Sequence, residues 1–169
     1  YWRYARRLAY LAKRDPNAAK KERAEFQALK SKVPPETMLN TNRAQDLLNI
    51  AGAVVDARMA TVNGDSKSAL KQWQAAIDIQ DRLVYDEPPA WYYPVRESLG
   101  GEHLRMKQYG EAERVFRRDL EINPNNPRSL FGLREALRAQ SKNAEAEEIQ
   151  RRFETQWKGA DIQISVAGL

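Results

Sequence analysis

No cysteine occurs anywhere in the 169 residues, and histidine occurs only once. The first absence removes disulfides, thiolate metal sites and cysteine nucleophiles together, and it leaves no trace of the redox compartment. The second means that His103 cannot build a multi-histidine metal site or an HExxH helix, so neither a metal nor a cofactor is expected. Long apolar runs are missing too. None approaches the ~20 residues that a membrane-spanning helix needs, and no secretory h-region is present. Phosphate-cradling loops are also absent: Gly100-Gly101 falls inside a helical pattern, and neither GxxxxGK nor GxGxxG occurs. The chain starts at Tyr1 without a methionine and reads as part of something longer, which leaves its compartment open.

What is present is enough for a core. With 42% apolar residues, a single domain is the default at this length, because a chain of about 150 residues buries roughly 70% of its unfolded surface. The formal charge of +5 is concentrated at one end. Residues 1–33 carry ten Lys or Arg against three acids, whereas the remainder carries 18 against 20. In the first segment Arg3, Arg6, Arg7, Lys13 and Arg14 recur at helical spacing beside the stripe Tyr1, Tyr4, Leu8 and Leu11. That is how a half-buried helix distributes charge, and a solvated face is the expected reading over an anionic patch.

Apolar residues follow the 3.6-residue rhythm almost throughout, which predicts a series of amphipathic helices. Ala44, Leu47, Leu48, Ala51, Val54, Val55, Met59 and Val62 define a long one, and Ala69, Leu70, Trp73, Ala76 and Ile77 its successor. Asn63-Gly64-Asp65-Ser66 reads as a turn with an N-cap, and Asn126-Pro127 places a capping side chain before a proline at the first helical position. The expected helix pairs cover approximately 1–33, 36–84, 91–122 and 127–158, with a tail over 159–169. In that tail Ile162, Ile164 and Val166 alternate with other residues, as in a short strand or an extended segment, but no pairing partner is evident.

The pairs also repeat. Ala69, Ala112 and Ala146 open successive second helices, with Trp73 and Phe116 four residues after the first two; Ala19 holds the matching place in the first pair. From Ala112 to Ala146 is 34 residues, and from Ala69 to Ala112 is 43. Leu99-Gly100, Tyr109, Ala112, Phe116 and Pro124 stand at the offsets of a known signature, and on these residues the chain resembles the tetratricopeptide repeat (TPR) family. The pair from 127 keeps Leu133, Leu137 and Ala146 but has Arg134 where the family has Gly. The pair around Gly64, Ala69 and Trp73 lacks the Leu-Gly step and has Asp56-Ala57 instead. More narrowly, the run from Glu87 through Pro88-Pro89, Trp91-Tyr92-Tyr93 and Leu99-Gly100 resembles the C-terminal repeat region of large bacterial multi-TPR proteins.

The resemblance implies an all-α fold: a right-handed superhelical stack of about four antiparallel helix pairs with a short extended C-terminal tail. It also implies a concave groove lined by the first helix of each pair. Groove positions would be Tyr4, Leu8 and Leu11, then Val54, Arg58 and Thr61, then Glu97, Gly101 and Arg105, then Phe131, Glu135 and Arg138. Co-chaperone members of the family hold a C-terminal carboxylate with Lys and Asn at defined groove positions; here those read Tyr4, Leu8, Val54 and Arg58, so that clamp is absent.

Candidate chemistry is sparse. His103 stands where the family has Tyr, and packing or one hydrogen bond accounts for it better than catalysis, because no nucleophile or acid is placed beside it. Asp86-Glu87 and Glu147-Glu148 read as solvated acids. Trp91 and Val95 have the i, i+4 spacing of a core face, so the aromatics after the diproline are expected to pack a lengthened joint rather than to recognise a ligand. The leading expectation is a non-catalytic scaffold whose groove takes a protein or peptide. Self-association through Tyr1, Trp2 and an exposed repeat end is the alternative. Nucleic-acid binding by the basic first pair is less favoured, since charges elsewhere are balanced by acids.

Overall fold

Four tight turns set the architecture. In the computed structural model, which describes residues 1–169, one residue between paired helices takes a left-handed conformation each time: Arg14 (φ 56°), Gly64 (75°), Lys107 (58°) and Ser141 (61°). The next residue's N–H then reaches back five residues, from Asp15 to Tyr10 O (2.9 Å), Asp65 to Ala60 O (2.9 Å), Gln108 to His103 O (2.9 Å) and Lys142 to Leu137 O (3.0 Å). That 6→1 bond with a left-handed C′ residue satisfies the last carbonyls of one helix while reversing the chain. Its own carbonyl accepts from an alanine four residues on, namely Ala19, Ala69, Ala112 and Ala146, at 3.1, 3.0, 2.9 and 3.0 Å. Three of the four left-handed positions carry side chains, each at a cost of about 1–2 kcal/mol that the surrounding packing has to offset. Asp15 and Asp65 add side-chain caps, accepting from Ala18 N and Ser68 N at 3.0 Å each.

The helices so paired are α1 (Trp2–Ala12) with α2 (Pro16–Lys30), α3 (Ala44–Val62) with α4 (Ser66–Gln80), α5 (Val95–Arg105) with α6 (Tyr109–Ile122), and α7 (Pro127–Ala139) with α8 (Asn143–Trp157). The four alanines are at most 1% exposed, so each pair approaches over a bare Cβ. The protein is therefore an all-α helical-repeat fold, as the periodicity predicts. Its contacts group into two compact units, 1–95 and 96–169, with two pairs in each.

In the first unit α2 runs antiparallel to α3. Phe26 lies over Gly52, Gln45 Nε2 donates to Val33 O (2.8 Å), and Arg23 grips Asp56 through Nε (2.9 Å) and Nη2 (3.0 Å). Leu47, Ile50, Val54, Val55 and Ile77 are buried in this unit, as is Trp73, which has the Arg58 guanidinium 5.4 Å from its ring centroid. Between α2 and α3 lies a feature that the helical rhythm does not predict, a two-residue antiparallel hairpin of β1 (Met38–Leu39) and β2 (Asn42–Arg43) turned at Asn40 (φ 52°). Asn42 makes it useful. Its buried amide donates to Val84 O (2.9 Å) and accepts from Val84 N (2.8 Å), tying the chain after α4 back to the hairpin.

In the second unit the ring of Phe116 is fully buried between two helices that offer no side chain there. A Cβ on Gly100 of α5 would stand 2.5 Å from Phe116 Cζ, and one on Gly132 of α7 would stand 2.1 Å from it. Gly132 thus lets α7 come close against α6 of the preceding pair, while Arg134 stands at the position aligned with the family's glycine. Leu104, Leu130, Leu133, Leu137, Ile149 and Phe153 complete the core around it. The tail forms no strand; its last residues make a single 3-10 turn over Val166–Gly168.

Gly132→Ala has no room, since the neighbour is a buried ring and not a flexible side-chain end. Urea unfolding is expected to show a loss of about 1–3 kcal/mol, recovered in part by adding Phe116→Leu, which shortens the obstructing side chain. An unchanged midpoint for Gly132→Ala would mean that Phe116 is free to move.

Candidate functional site

The faces of the first helices are where the predicted groove residues belong, and the structure distributes them unevenly. Tyr4, Leu11, Val54, Glu97 and Phe131 are buried; Leu8, Arg58, Thr61, Arg105 and Glu135 are half-buried; Arg138 is exposed. In each unit a non-helical piece of the chain lies on this face.

On the first unit that piece is the stretch after α4. Trp91, 4% exposed, meets the Tyr4 ring edge-on at 5.8 Å, and the Tyr4 and Tyr92 hydroxyls are hydrogen-bonded at 2.8 Å. Burial, and then that bond, push the Tyr4 phenol pKa up. Gln80 fixes the stretch at its far end, donating to Tyr93 O and accepting from Val95 N, both at 2.9 Å. The aromatic run therefore packs against α1 of the first unit, with Trp91 buried as its spacing predicts. Beside it, α1 and α2 consume much of the basic excess. Arg3 and Arg6 pair with Glu22 (3.1 and 3.0 Å), and Arg7 and Arg23 share Asp56 (2.6 and 2.9 Å). Arg7 is almost wholly buried, so burial lowers its pKa while Asp56 opposes the shift. Arg7, Arg23 and Asp56 line a cleft of about 520 Å³ with Lys20, Met59 and Gln72.

On the second unit the occupant is the tail. Leu169 is fully buried and lies against Gly101, where a Cβ would come within 2.7 Å of Leu169 Cβ. Three donors from the helices address backbone carbonyls of the same segment: Ser98 Oγ to Leu169 O (2.9 Å), Arg105 Nη1 to Val166 O (3.3 Å), and Arg128 Nη2 to Gly168 O. Both arginines are held from behind by buried acids. Arg105 Nη2 donates to Glu102 Oε2 (2.7 Å), and Arg128 Nε to Glu97 Oε1 (2.6 Å). Burial raises the Glu97 pKa, while Arg128 and Asn126 pull it back down. Deeper still, Asp119 accepts from Ser129 Oγ (2.6 Å) and Asn126 Nδ2 (2.9 Å), and this fixes the α6–α7 corner from which Arg128 projects. The arrangement thus holds the main-chain oxygens of a 3-10 turn and encloses one aliphatic side chain.

Of the predicted site residues, this seat unites Glu97 and Arg105 with Gly101. Ser98, Glu102, Asp119, Asn126, Arg128 and Ser129 escape a reading of periodicity, because a polar residue on an apolar helical face looks like noise until its partner is known. The alternation of Ile162, Ile164 and Val166 signals an extended segment, but nothing local says where it lies. His103 Nδ1 lies 2.8 Å from Gln108 Oε1, a single hydrogen bond across the third turn. No three His, Cys, Asp or Glu side chains group as metal ligands would.

These features define the class: an all-α helical-repeat protein whose first-helix faces carry other pieces of the same chain. No protein-family model matches the sequence, and no curated protein does.

One more charged group ties the second unit together. Glu113 of α6 accepts from Arg117 Nε (2.9 Å), Gln140 Nε2 (2.8 Å) and Lys142 Nζ (2.7 Å). Burial works against its charge, but those three donors prevail and bring its pKa down to about 2. A carboxylate depressed in the folded state adds stability above its ordinary pKa of 4.5, and that contribution disappears as pH falls through about 2. Discounted for the solvent around Arg117 and Lys142, the gain at neutral pH is about 1 kcal/mol. Urea titrations of wild type and Glu113→Gln are expected to differ by that amount at neutral pH and to converge between pH 4.5 and about 2. A gap that persists at the acid end would mean that the carboxylate's charge is not what stabilises this corner.

Proposed function

We propose that the chain is a TPR-like, non-catalytic scaffold that binds protein or peptide segments on the faces of its first helices. The observation that carries this reading is the seat on α5 and α7, where Ser98, Arg105 and Arg128 address main-chain oxygens of the 3-10 turn at 166–169 and Gly101 makes room for its leucine. The TPR likeness draws support from the 34-residue step between Ala112 and Ala146 and from the common geometry of the four turns. Recognition through backbone acceptors and a few side-chain anchors is the usual physics of peptide capture by a preformed surface. No helix is long and apolar enough to cross a membrane.

Self-association is the second reading, favoured by Tyr1 and Trp2, which are 55% and 69% exposed at the start of α1. A nucleic-acid role draws less support, because Arg3, Arg6, Arg7 and Arg23 are engaged by Glu22 and Asp56.

Peptides selected from a random display library against the whole chain provide the test. Binders are expected to lose affinity by about tenfold or more with Arg138→Ala, an exposed side chain, or with Arg58→Met, which removes the charge but keeps an unbranched stem over Trp73. Circular dichroism should stay unchanged. A library that yields no binder, or binders indifferent to both variants, would remove the reading, and a dimer that sediments as such at every concentration and is lost with Trp2→Ala would install self-association in its place.

A further inference from the structure

The cleft on the first unit carries more positive charge than its own acids balance. Arg7 is 3% exposed, yet its acidic partner is Asp56, which it shares with Arg23. Arg7 Nη2 donates to Asp56 Oδ1 (2.6 Å), and Arg23 spans both oxygens, from Nε to Oδ1 (2.9 Å) and from Nη2 to Oδ2 (3.0 Å). Arg7 Nε is buried with no hydrogen-bond partner. One carboxylate therefore serves two guanidiniums, and one of these lies where desolvation penalises charge most. Burial lowers the Arg7 pKa, and Arg23 adds to that shift against the pull of Asp56. The other acid of the cleft, Asp65, is engaged elsewhere, because it caps α4 by accepting from Ser68 N (3.0 Å). Lys20, exposed on α2, has no acid against it. Three cations against two acids leave a surplus of one positive charge around a cavity of about 520 Å³. The first turns of α2 and α4 reach the same wall at Asn17 and Ser68, and the positive ends of helices favour an anion. Met59 and Ala60 supply apolar surface. Such a volume falls within the roughly 300–1,000 Å³ of small-molecule sites.

We propose that this cleft binds a small organic anion, whose carboxylate or phosphate group sits among Arg7, Arg23 and Lys20 while its body lies over Met59 toward Asn17 and Gln72. The surplus charge selects an anion, because a neutral ligand would leave Arg7 as poorly compensated as before. Planar guanidiniums accept either group, since carboxylate and phosphate both offer paired oxygens at the spacing of their donors. Asp56 positions the two arginines and so sets where the anionic group rests. The cleft uses Arg7, Asp56, Met59 and Ala60 of α1 and α3, none of them a groove position, so a ligand here and a segment on the first-helix faces occupy different surfaces. An anion bridging α1 and α2 across Asp56 of α3 also ties these helices together, and binding to the folded state alone raises stability by mass action.

Backbone-amide NMR titrations of the whole chain test this with three probes, inorganic phosphate, glucose 6-phosphate and N-acetylglutamate, each against sodium chloride at matched ionic strength. Shifts are expected to saturate and to concentrate at 17–23, 56–60 and 65–72. One of the two organic anions should bind about tenfold or more tighter than inorganic phosphate, and which one does so assigns the group as a phosphate monoester or a carboxylate. Lys20→Ala, a change at an exposed side chain, should weaken that ligand by about threefold or more. Lys32→Ala, the same loss of charge beyond the end of α2, should leave it unchanged. Arg7→Met is expected to abolish binding; if that variant fails to fold, the comparison of Lys20→Ala with Lys32→Ala still decides. Shifts that match those of chloride, that never saturate, or that respond equally to the two lysine variants overturn the proposal. So does inorganic phosphate binding that neither organic anion improves on, because that would leave a bare ion site.

Discussion

Close approach of paired helices over a bare Cβ is the constraint on which everything else rests. Ala19, Ala69, Ala112 and Ala146 stand one turn into their second helices, each tied by its N–H to the residue that follows a left-handed turn. The turn and the alanine act together. The 6→1 hydrogen bond fixes the direction in which the second helix leaves, and the small side chain lets it come back against the first. Arg14, Lys107 and Ser141 tolerate the left-handed region because the packing of both helices over-determines the turn.

Once the pairs are closed, their remaining apolar faces demand cover, and large rings provide it. Phe116, sandwiched between Gly100 and Gly132, is the clearest case, burying on the order of 150–250 Å² in a slot that neither neighbouring helix could line with a side chain. Trp73 plays a related part in the first unit, with Arg58 over its ring. A core assembled this way is intolerant of added volume and gains rigidity from that intolerance. The polar residues left on the first-helix faces are consequently held in place by a stiff frame. Buried carboxylates at Glu97, Glu102 and Asp119 are costly to desolvate, and pairing with arginine, serine and asparagine is what makes them tolerable. In return they aim Arg105 and Arg128 at fixed points, which a solvated arginine on a flexible stem would not reach.

Both units use the same device to finish their surfaces, laying a stretch of the chain from outside the helix pairs across the first helices. The aromatic stretch on the first unit is anchored by several side chains: Trp91 against Tyr4, the Tyr4–Tyr92 bond, and Gln80 at the far end. The tail on the second is anchored by Leu169, by Ile164 and Val166 packed against the core, and by hydrogen bonds to main-chain oxygens.

Local information was sufficient for the helices, since a 3.6-residue apolar rhythm and the punctuation at Asn63-Gly64-Asp65 and Asn126-Pro127 act within a few residues of one another. The repeating alanines were legible for the same reason, as was the burial of Trp73, Phe116 and Trp91. The hairpin at 38–43 was not, because its strands are two residues long and its stabilising contact, from Asn42 to Val84, spans more than 40 positions. The seat was half legible: Glu97, Gly101 and Arg105 follow from helical register, whereas Ser98, Arg128 and the buried acids acquire meaning only from what lies opposite. Amino-acid order alone thus determined which segments coil and which faces they hide, because those are matters of period and side-chain size. Only the tertiary structure decided where the tail lies and which glycine receives which ring, because such contacts join residues distant along the chain and depend on the angles at which finished helices meet.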